Sequence, residues 1–326
     1  MLVVAKILVA GKIPEIGLEL LKDHDVEMYD KEELISIDEL TERVKDKDAL
    51  LSLLSTKVPK EVIDAAPHLK IVANYGAGYD NIDYKYAGEK GIAVTNTPKV
   101  STEATAELTF ALLLAAARRI PEGDTLCRTT GFNGWAPLFF LGREVHGKTI
   151  GIIGLGEIGK AVAKRAKAFG MDVLYTGPNR KLEAESELGA TYVMLEELLQ
   201  TADFITINCA YNPNLHHMID EEQFKMMKKT AYIVNASRGP IMNEAALAHA
   251  LKTNEIEGAA LDVFEFEPKI TEELKELKNV VLAPHVGNAT FETRDAMAEM
   301  AVRNILAVLN GEEPVTPVNQ KVLVTK

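Results

Sequence analysis

Short apolar runs alternate along the whole chain with amphipathic stretches whose apolar residues recur every three or four positions. The short runs read as strands buried on both faces, and the longer stretches as helices packed on them by one side. In the first third, strands are expected at 6–10, 26–29, 50–54, 71–75 and 92–95, with helices at 14–22, 36–44, 60–66 and 82–89. Ser36 with Glu39 has the spacing of a helix-opening capping box. Beyond 148, strands are expected at 148–154, 172–176, 203–209, 231–236, 258–263 and 280–282. Helices fall between them at 158–169, 195–201, 221–227 and 243–252, and a last one covers 291–309. Alternation of this kind predicts an α/β chain: two doubly wound parallel-sheet (Rossmann-like) domains with a cleft between them. The stretch 101–117 reads as a long helix acting as a spacer between domains, and 121–147 shows no strong period.

The strand at 148–154 runs into Gly154-Leu155-Gly156-Glu157-Ile158-Gly159, a G-x-G-x-x-G that opens a helix inside a βαβ unit. In that context the glycines have separate jobs. The first makes the tight turn, the second lets the backbone approach a pyrophosphate, and the third lets helix and strand pack closely. The helix N-terminus then offers free N–H groups to the phosphates. This half of the chain is expected to bind a dinucleotide. An NAD site places an acidic residue about 20 residues on, against the ribose 2′-hydroxyl. Gly177 stands there instead, followed by Pro178, Asn179, Arg180 and Lys181. With no carboxylate to repel a 2′-phosphate and two cations to meet one, NADPH is preferred and NADH is possible.

The net charge of −12 argues against nucleic acid or an anionic membrane as partner. Cys127 and Cys209 are the only cysteines, which suits a reducing, cytoplasmic setting without disulfides. The apolar start of the chain is broken by Lys6 and lacks a signal peptide's basic leader, and the run 108–117 is too short to span a bilayer. No metal site is read from the sequence.

Arg238, Glu267 and His285 each follow a predicted strand, near Gly or Pro, where ligands sit in doubly wound sheets. Together they make a set suited to hydride transfer. A guanidinium orients a carboxylate and polarises a ketone, an imidazolium gives a proton to the forming alkoxide, and a carboxylate holds the imidazole tautomer. A second loop, Asn74 to Asp80, has glycines on either side of Ala77 and offers backbone N–H groups to a carboxylate. Trp135, with Phe139, Phe140, Leu138 and Leu141, lies in the stretch without a period and is expected to bury its surface at an oligomer interface.

At these residues the chain resembles the D-isomer-specific 2-hydroxyacid dehydrogenase family: NYGAGYDNID, GIIGLGEIG, NASRG, LDVFEFEP and APHVG occur in family order over almost the whole length. GWAPLFFLGREVHGKTIGIIGLG and VLYTG resemble the glyoxylate/hydroxypyruvate reductase branch, although Pro178 stands where its NADPH members often have arginine. The resemblance implies a substrate domain of residues 1–100 with 289–326, a dinucleotide domain of 101–288, and a homodimer. It implies reduction of a small 2-oxo acid, glyoxylate or hydroxypyruvate, to the D-2-hydroxy acid. Arg238, Glu267 and His285 would be catalytic, with His285 the proton donor. Tyr75, Gly76, Ala77, Gly78 and Trp135 would bind substrate. Thr105, Gly154, Leu155, Gly156, Glu157, Ile158, Gly159, Gly177, Pro178, Asn179, Arg180, Lys181, Cys209, Ala236, Ser237, Asp262 and Gly287 would contact the cofactor. Two other readings share the scaffold: an NAD-dependent D-2-hydroxyacid or phosphoglycerate dehydrogenase, and a non-catalytic NAD(H) sensor like the C-terminal-binding transcriptional corepressors.

Overall fold

The computed structural model describes residues 4–320. The chain divides into two compact units, one running to Ser101 and resuming at Asn288, the other Thr102–Gly287.

In the first unit, β1 (Lys6–Val9), β2 (Asp25–Met28), β3 (Ala49–Leu53), β4 (Ile71–Tyr75) and β5 (Ala93–Thr95) form a parallel sheet in the order β2-β1-β3-β4-β5. Successive strand residues face opposite sides. Leu8 and Leu50 therefore join one buried cluster, while Ile7, Val9, Ala49 and Leu51 join the other. The second cluster is closed by the helix Phe291–Leu309, through Met297, Ala301 and Ile305. That helix is how the last part of the chain becomes part of the first unit.

In the second unit, β6 (Thr149–Ile153), β7 (Asp172–Thr176), β8 (Thr191–Tyr192), β9 (Phe204–Ile207), β10 (Tyr232–Asn235), β11 (Gly258–Leu261) and β12 (Val280–Leu282) make a seven-stranded parallel sheet. Its order is β12-β11-β10-β9-β6-β7-β8, so the winding reverses between β6 and β9. The crevice beyond the carboxyl ends at such a reversal is where an open α/β sheet receives a ligand.

The helix Thr102–Ala117 is not a spacer. It buries Ala106, Thr109, Phe110, Leu113 and Ala117 in the core of the second unit, packed on the sheet and on the helix Glu157–Ala168. Its second half, Phe110–Ala117, is apolar throughout, while Glu103 and Glu107 stay exposed on the first half. The stretch after it also holds a helix that was not expected there, Ile120–Arg128, which buries none of its residues. Among the described residues no helix is long and apolar enough to cross a membrane.

Candidate active site

At the end of β6 the chain turns through Gly154, with φ of 97°, a left-handed value that glycine tolerates best. A Cβ there would lie 2.7 Å from the Cys209 nitrogen, just past the end of β9. A Cβ on Gly159 would lie 2.2 Å from the Gly154 carbonyl oxygen, so the third glycine sets how closely the helix meets the turn. Gly156 differs: its Cβ would meet nothing within 4 Å. Gly156 also begins the helix Glu157–Ala168 without a side-chain cap. Open space in front of uncapped N–H groups is the cradle a pyrophosphate requires, and these residues fit a dinucleotide. Leu155 is 4% exposed and packs in the core, so only its backbone faces outward chemistry. Burial pushes the Cys209 thiol up to about 11, which leaves it protonated and unreactive at neutral pH. Beside it, the buried Oδ1 of Asn208 has no hydrogen-bond partner among the described residues. The sequence carried no signal for that orphan acceptor.

The loop after β7 is more committed than its sequence suggests. Both Glu185 oxygens accept from Arg180, at 2.7 and 2.8 Å, and Oε1 also accepts from the Tyr175 hydroxyl at 2.6 Å. The Tyr175 oxygen in turn accepts from the Lys181 N–H at 2.7 Å. The Arg180 guanidinium and the tyrosine hydroxyl hold the Glu185 carboxyl at about 2. Arg180 is thus forked onto the segment that follows its loop rather than standing free. Glu185 lies on the helix Leu182–Leu188, an element not expected from the sequence, so its pairing was not legible there. A Cβ on Gly177 would meet nothing within 4 Å.

Three further loops leave neighbouring strands at one level. Asn235 of β10 is aligned with Leu261 of β11, and Leu261 with Leu282 of β12. Arg238, Glu267 and His285 follow in those loops. The His285 Nδ1 lies 2.8 Å from Glu267 Oε2, while Glu267 Oε1 accepts from the Phe264 N–H at 2.9 Å. Burial pushes the Glu267 carboxyl up. The hydrogen bonds from His285 and Phe264, and the charges of His285 and Arg238, outweigh it and bring the group below its ordinary value. Glu267 is therefore ionised and accepts from the histidine, which leaves Nε2 as the ring nitrogen for proton transfer.

The histidine loop hangs on Asp262. This carboxylate, 1% exposed, accepts from the Val286 N–H at 2.7 Å and the Gly287 N–H at 2.8 Å. Burial raises its pKa against those two bonds and the His285 charge. Asp262, expected to contact the cofactor, fixes the backbone on which His285, with φ of 53°, is displayed. Thr105 stands behind Gly287, its Cγ2 3.4 Å from where a Gly287 Cβ would be.

Arg238 closes β10. Its carbonyl accepts from Asn235 Nδ2 at 3.0 Å, and its Nη1 donates to the Ser237 carbonyl at 2.8 Å. The Ser237 hydroxyl donates to the Cys209 carbonyl, and Ala236 is buried. Gly239 was missed by the sequence reading. A Cβ there would lie 1.9 Å from the Phe264 carbonyl carbon, so glycine alone lets the arginine turn press against the Glu267 loop. Changing Arg238 to Lys should lower kcat/KM about tenfold, the worth of one lost charge-assisted contact of about 1.5 kcal/mol. Both kinetic constants should move; an unchanged kcat/KM would make the arginine structural.

In the first unit, the loop after β4 is held by its carbonyls. Those of Gly76, Ala77 and Gly78 accept from the Thr97 N–H at 2.9 Å, Asn96 Nδ2 at 2.7 Å and Asn74 Nδ2 at 2.6 Å. The Gly76 N–H is spent on the Asn74 carbonyl at 2.9 Å, contrary to its expected role, while the N–H groups of Ala77 and Gly78 have no hydrogen-bond acceptor among the described residues. Tyr75, expected at the substrate, is instead a core residue: 4% exposed, its hydroxyl donating to the Arg294 carbonyl at 2.7 Å. Trp135 is 86% exposed and Leu138 85%.

Residues 110–287 match the D-isomer specific 2-hydroxyacid dehydrogenase, NAD binding domain. The chain belongs to that family. It is similar to the "Putative 2-hydroxyacid dehydrogenase" of Staphylococcus aureus (strain MRSA252), with 67% identity over 96% of this chain and 99% of that protein. Of solved structures, it is similar to the TT0316 protein of Thermus thermophilus, with 40% identity, a TM-score of 0.91, and 96% and 99% of the two chains covered. It is similar also to the NADPH-dependent glyoxylate/hydroxypyruvate reductase of Sinorhizobium meliloti in complex with citrate. There the identity is 34%, the TM-score 0.83, and the coverage 96% and 97%. Family membership makes the chain a nicotinamide-dependent oxidoreductase of 2-hydroxy acids.

Proposed function

We propose that the chain reduces a small 2-oxo acid, glyoxylate or hydroxypyruvate, to the D-2-hydroxy acid with NADPH. The observation that carries this reading is the His285–Glu267 pair at 2.8 Å, displayed by the Asp262-anchored loop. The bound cofactor supplies the hydride that adds to the carbonyl carbon. Arg238 binds the substrate carboxylate and polarises the carbonyl oxygen. His285 passes a proton from Nε2 to that oxygen, and Glu267 stabilises the imidazolium before the transfer. A small substrate accords with the S. meliloti reductase, whose named substrates are glyoxylate and hydroxypyruvate. Copies of the chain pair through the apolar surface around Trp135 and Leu138. Rates of NADPH and NADH oxidation across a panel of 2-oxo acids test the function. Glyoxylate and hydroxypyruvate should head the panel, and preference for a bulky 2-oxo acid would refute the assignment.

Cofactor choice turns on Gly177 and Arg180. NADPH should be preferred, and Gly177→Asp should move preference toward NADH by adding a repulsive charge at the 2′ position. Glu185 competes with a 2′-phosphate for Arg180, so Glu185→Gln should raise the NADPH preference further, by about tenfold or less. Because Glu185 stays ionised down to about 2, this competition should not vary across neutral pH. Equal kcat/KM for the two cofactors in the wild type would remove the preference.

A further inference from the structure

A group of side chains that the proposed reaction does not use lies in the second unit. His216 and His217 precede the helix Glu221–Met226, and Glu265 sits in the loop after β11. Neighbouring residues of an extended segment point to opposite sides. Here His216 is extended, with φ of −61° and ψ of 124°, but His217 has φ of 52°. The left-handed residue breaks the alternation, and the two imidazoles stack with centroids 4.0 Å apart and planes 20° from parallel. Backbone in that region is costly for a side-chain-bearing residue and is kept where surroundings enforce it.

The surroundings do enforce it. The His217 N–H donates to the Pro240 carbonyl at 2.9 Å, and the Ile219 N–H to the Ile241 carbonyl at 3.1 Å. Glu265 is 9% exposed in its side chain, and its Oε1 lies 2.6 Å from His217 Nε2. Its backbone N–H is held by Oε1 of the buried Glu244 at 2.5 Å. One ligand atom from each of His216, His217 and Glu265 lies within 4.8 Å of the others.

We propose that His216, His217 and Glu265 form a site for a divalent transition-metal cation of the zinc class. Two imidazole nitrogens and one carboxylate oxygen are a three-ligand set that zinc takes with water in the fourth position. Magnesium and calcium favour all-oxygen sets and are excluded by the two nitrogens. Zinc bonds of about 2.0 to 2.2 Å put tetrahedral ligand atoms about 3.3 Å apart, so the exposed His216 ring must turn out of its stack on His217 for both nitrogens to face one ion. The metal bridges His217 and Glu265 and draws in the exposed His216. Glu265 lies two residues before Glu267, and Pro240 two residues after Arg238. Occupancy therefore ties the segment carrying the histidines to both catalytic loops.

The test is calorimetric titration of the untagged, EDTA-stripped full chain with zinc chloride, and with magnesium chloride as control. One equivalent of zinc should bind, and magnesium should not. His216→Ala, at an exposed position, should weaken zinc binding by at least about tenfold while leaving metal-free turnover and melting temperature unchanged. Glu265→Gln should weaken it likewise. His285→Ala should keep the equivalent, which separates this site from the catalytic pair. Absence of zinc uptake at about 100 µM, wild-type affinity in His216→Ala, or loss of the equivalent in His285→Ala would each overturn the proposal.

Discussion

Replacing His285 with alanine is expected to lower kcat by about 10²- to 10⁴-fold, the contribution of a positioned general acid. The change removes the ring nitrogen paired with Glu267, and the cradle at Gly156 belongs to another loop of the sheet. NADPH affinity, followed by fluorescence, should therefore stay within about threefold of the wild type, a difference below about 0.7 kcal/mol. More than a tenth of wild-type turnover would show that another group delivers the proton. A parallel collapse of cofactor binding would show that the substitution disturbed the fold.

The second large effect is expected one step removed from the chemistry, at Asp262. Alanine there leaves the Val286 and Gly287 N–H groups without their acceptors in a buried setting. Unsatisfied buried donors cost about 1 to 3 kcal/mol each, so stability should fall by at least about 2 kcal/mol. The loop that displays His285 loses its anchor, and a displacement of about 1 Å is enough to cost about 10²-fold in kcat. Chemical denaturation and steady-state kinetics on the same preparation check both parts. A variant as stable as the wild type and with unchanged kcat would mean the loop is held by other contacts. Asp262→Asn should not rescue it fully, because one amide nitrogen would face an N–H donor.

Much of the two units is legible in the chain because strands of a parallel sheet buried on both faces are mostly apolar and bounded by glycine or polar residues, as at Ile71–Tyr75 and Phe204–Ile207. The same reasoning places Arg238, Glu267 and His285 beyond adjacent strand ends. What it misses has physical causes. The helix Ile120–Arg128 is only nine residues long and buries none of them, and β8 is only two residues long. The helix Thr102–Ala117 has an unbroken apolar second half, Phe110–Ala117, which reads equally as core or as a link between domains. Tyr75 belongs to a strand by sequence, but only the distant Arg294 carbonyl shows that its hydroxyl is spent inside the fold. Arg180 reads as a free cation until Glu185, on an unanticipated helix, is seen to hold it. Residue types and spacing carry local backbone chemistry well. They carry side-chain pairing across loops poorly, because that is settled by tertiary packing.

The central claim is hydride and proton delivery to the carbonyl of a small 2-oxo acid. It is tested most directly by incubating the purified chain with hydroxypyruvate and NADPH and resolving the product on a chiral column. The account predicts one D-glycerate formed for each NADPH consumed, with NADH less effective at equal concentration. L-Glycerate as the product, or no consumption of either cofactor by a folded, cofactor-binding chain, would contradict it.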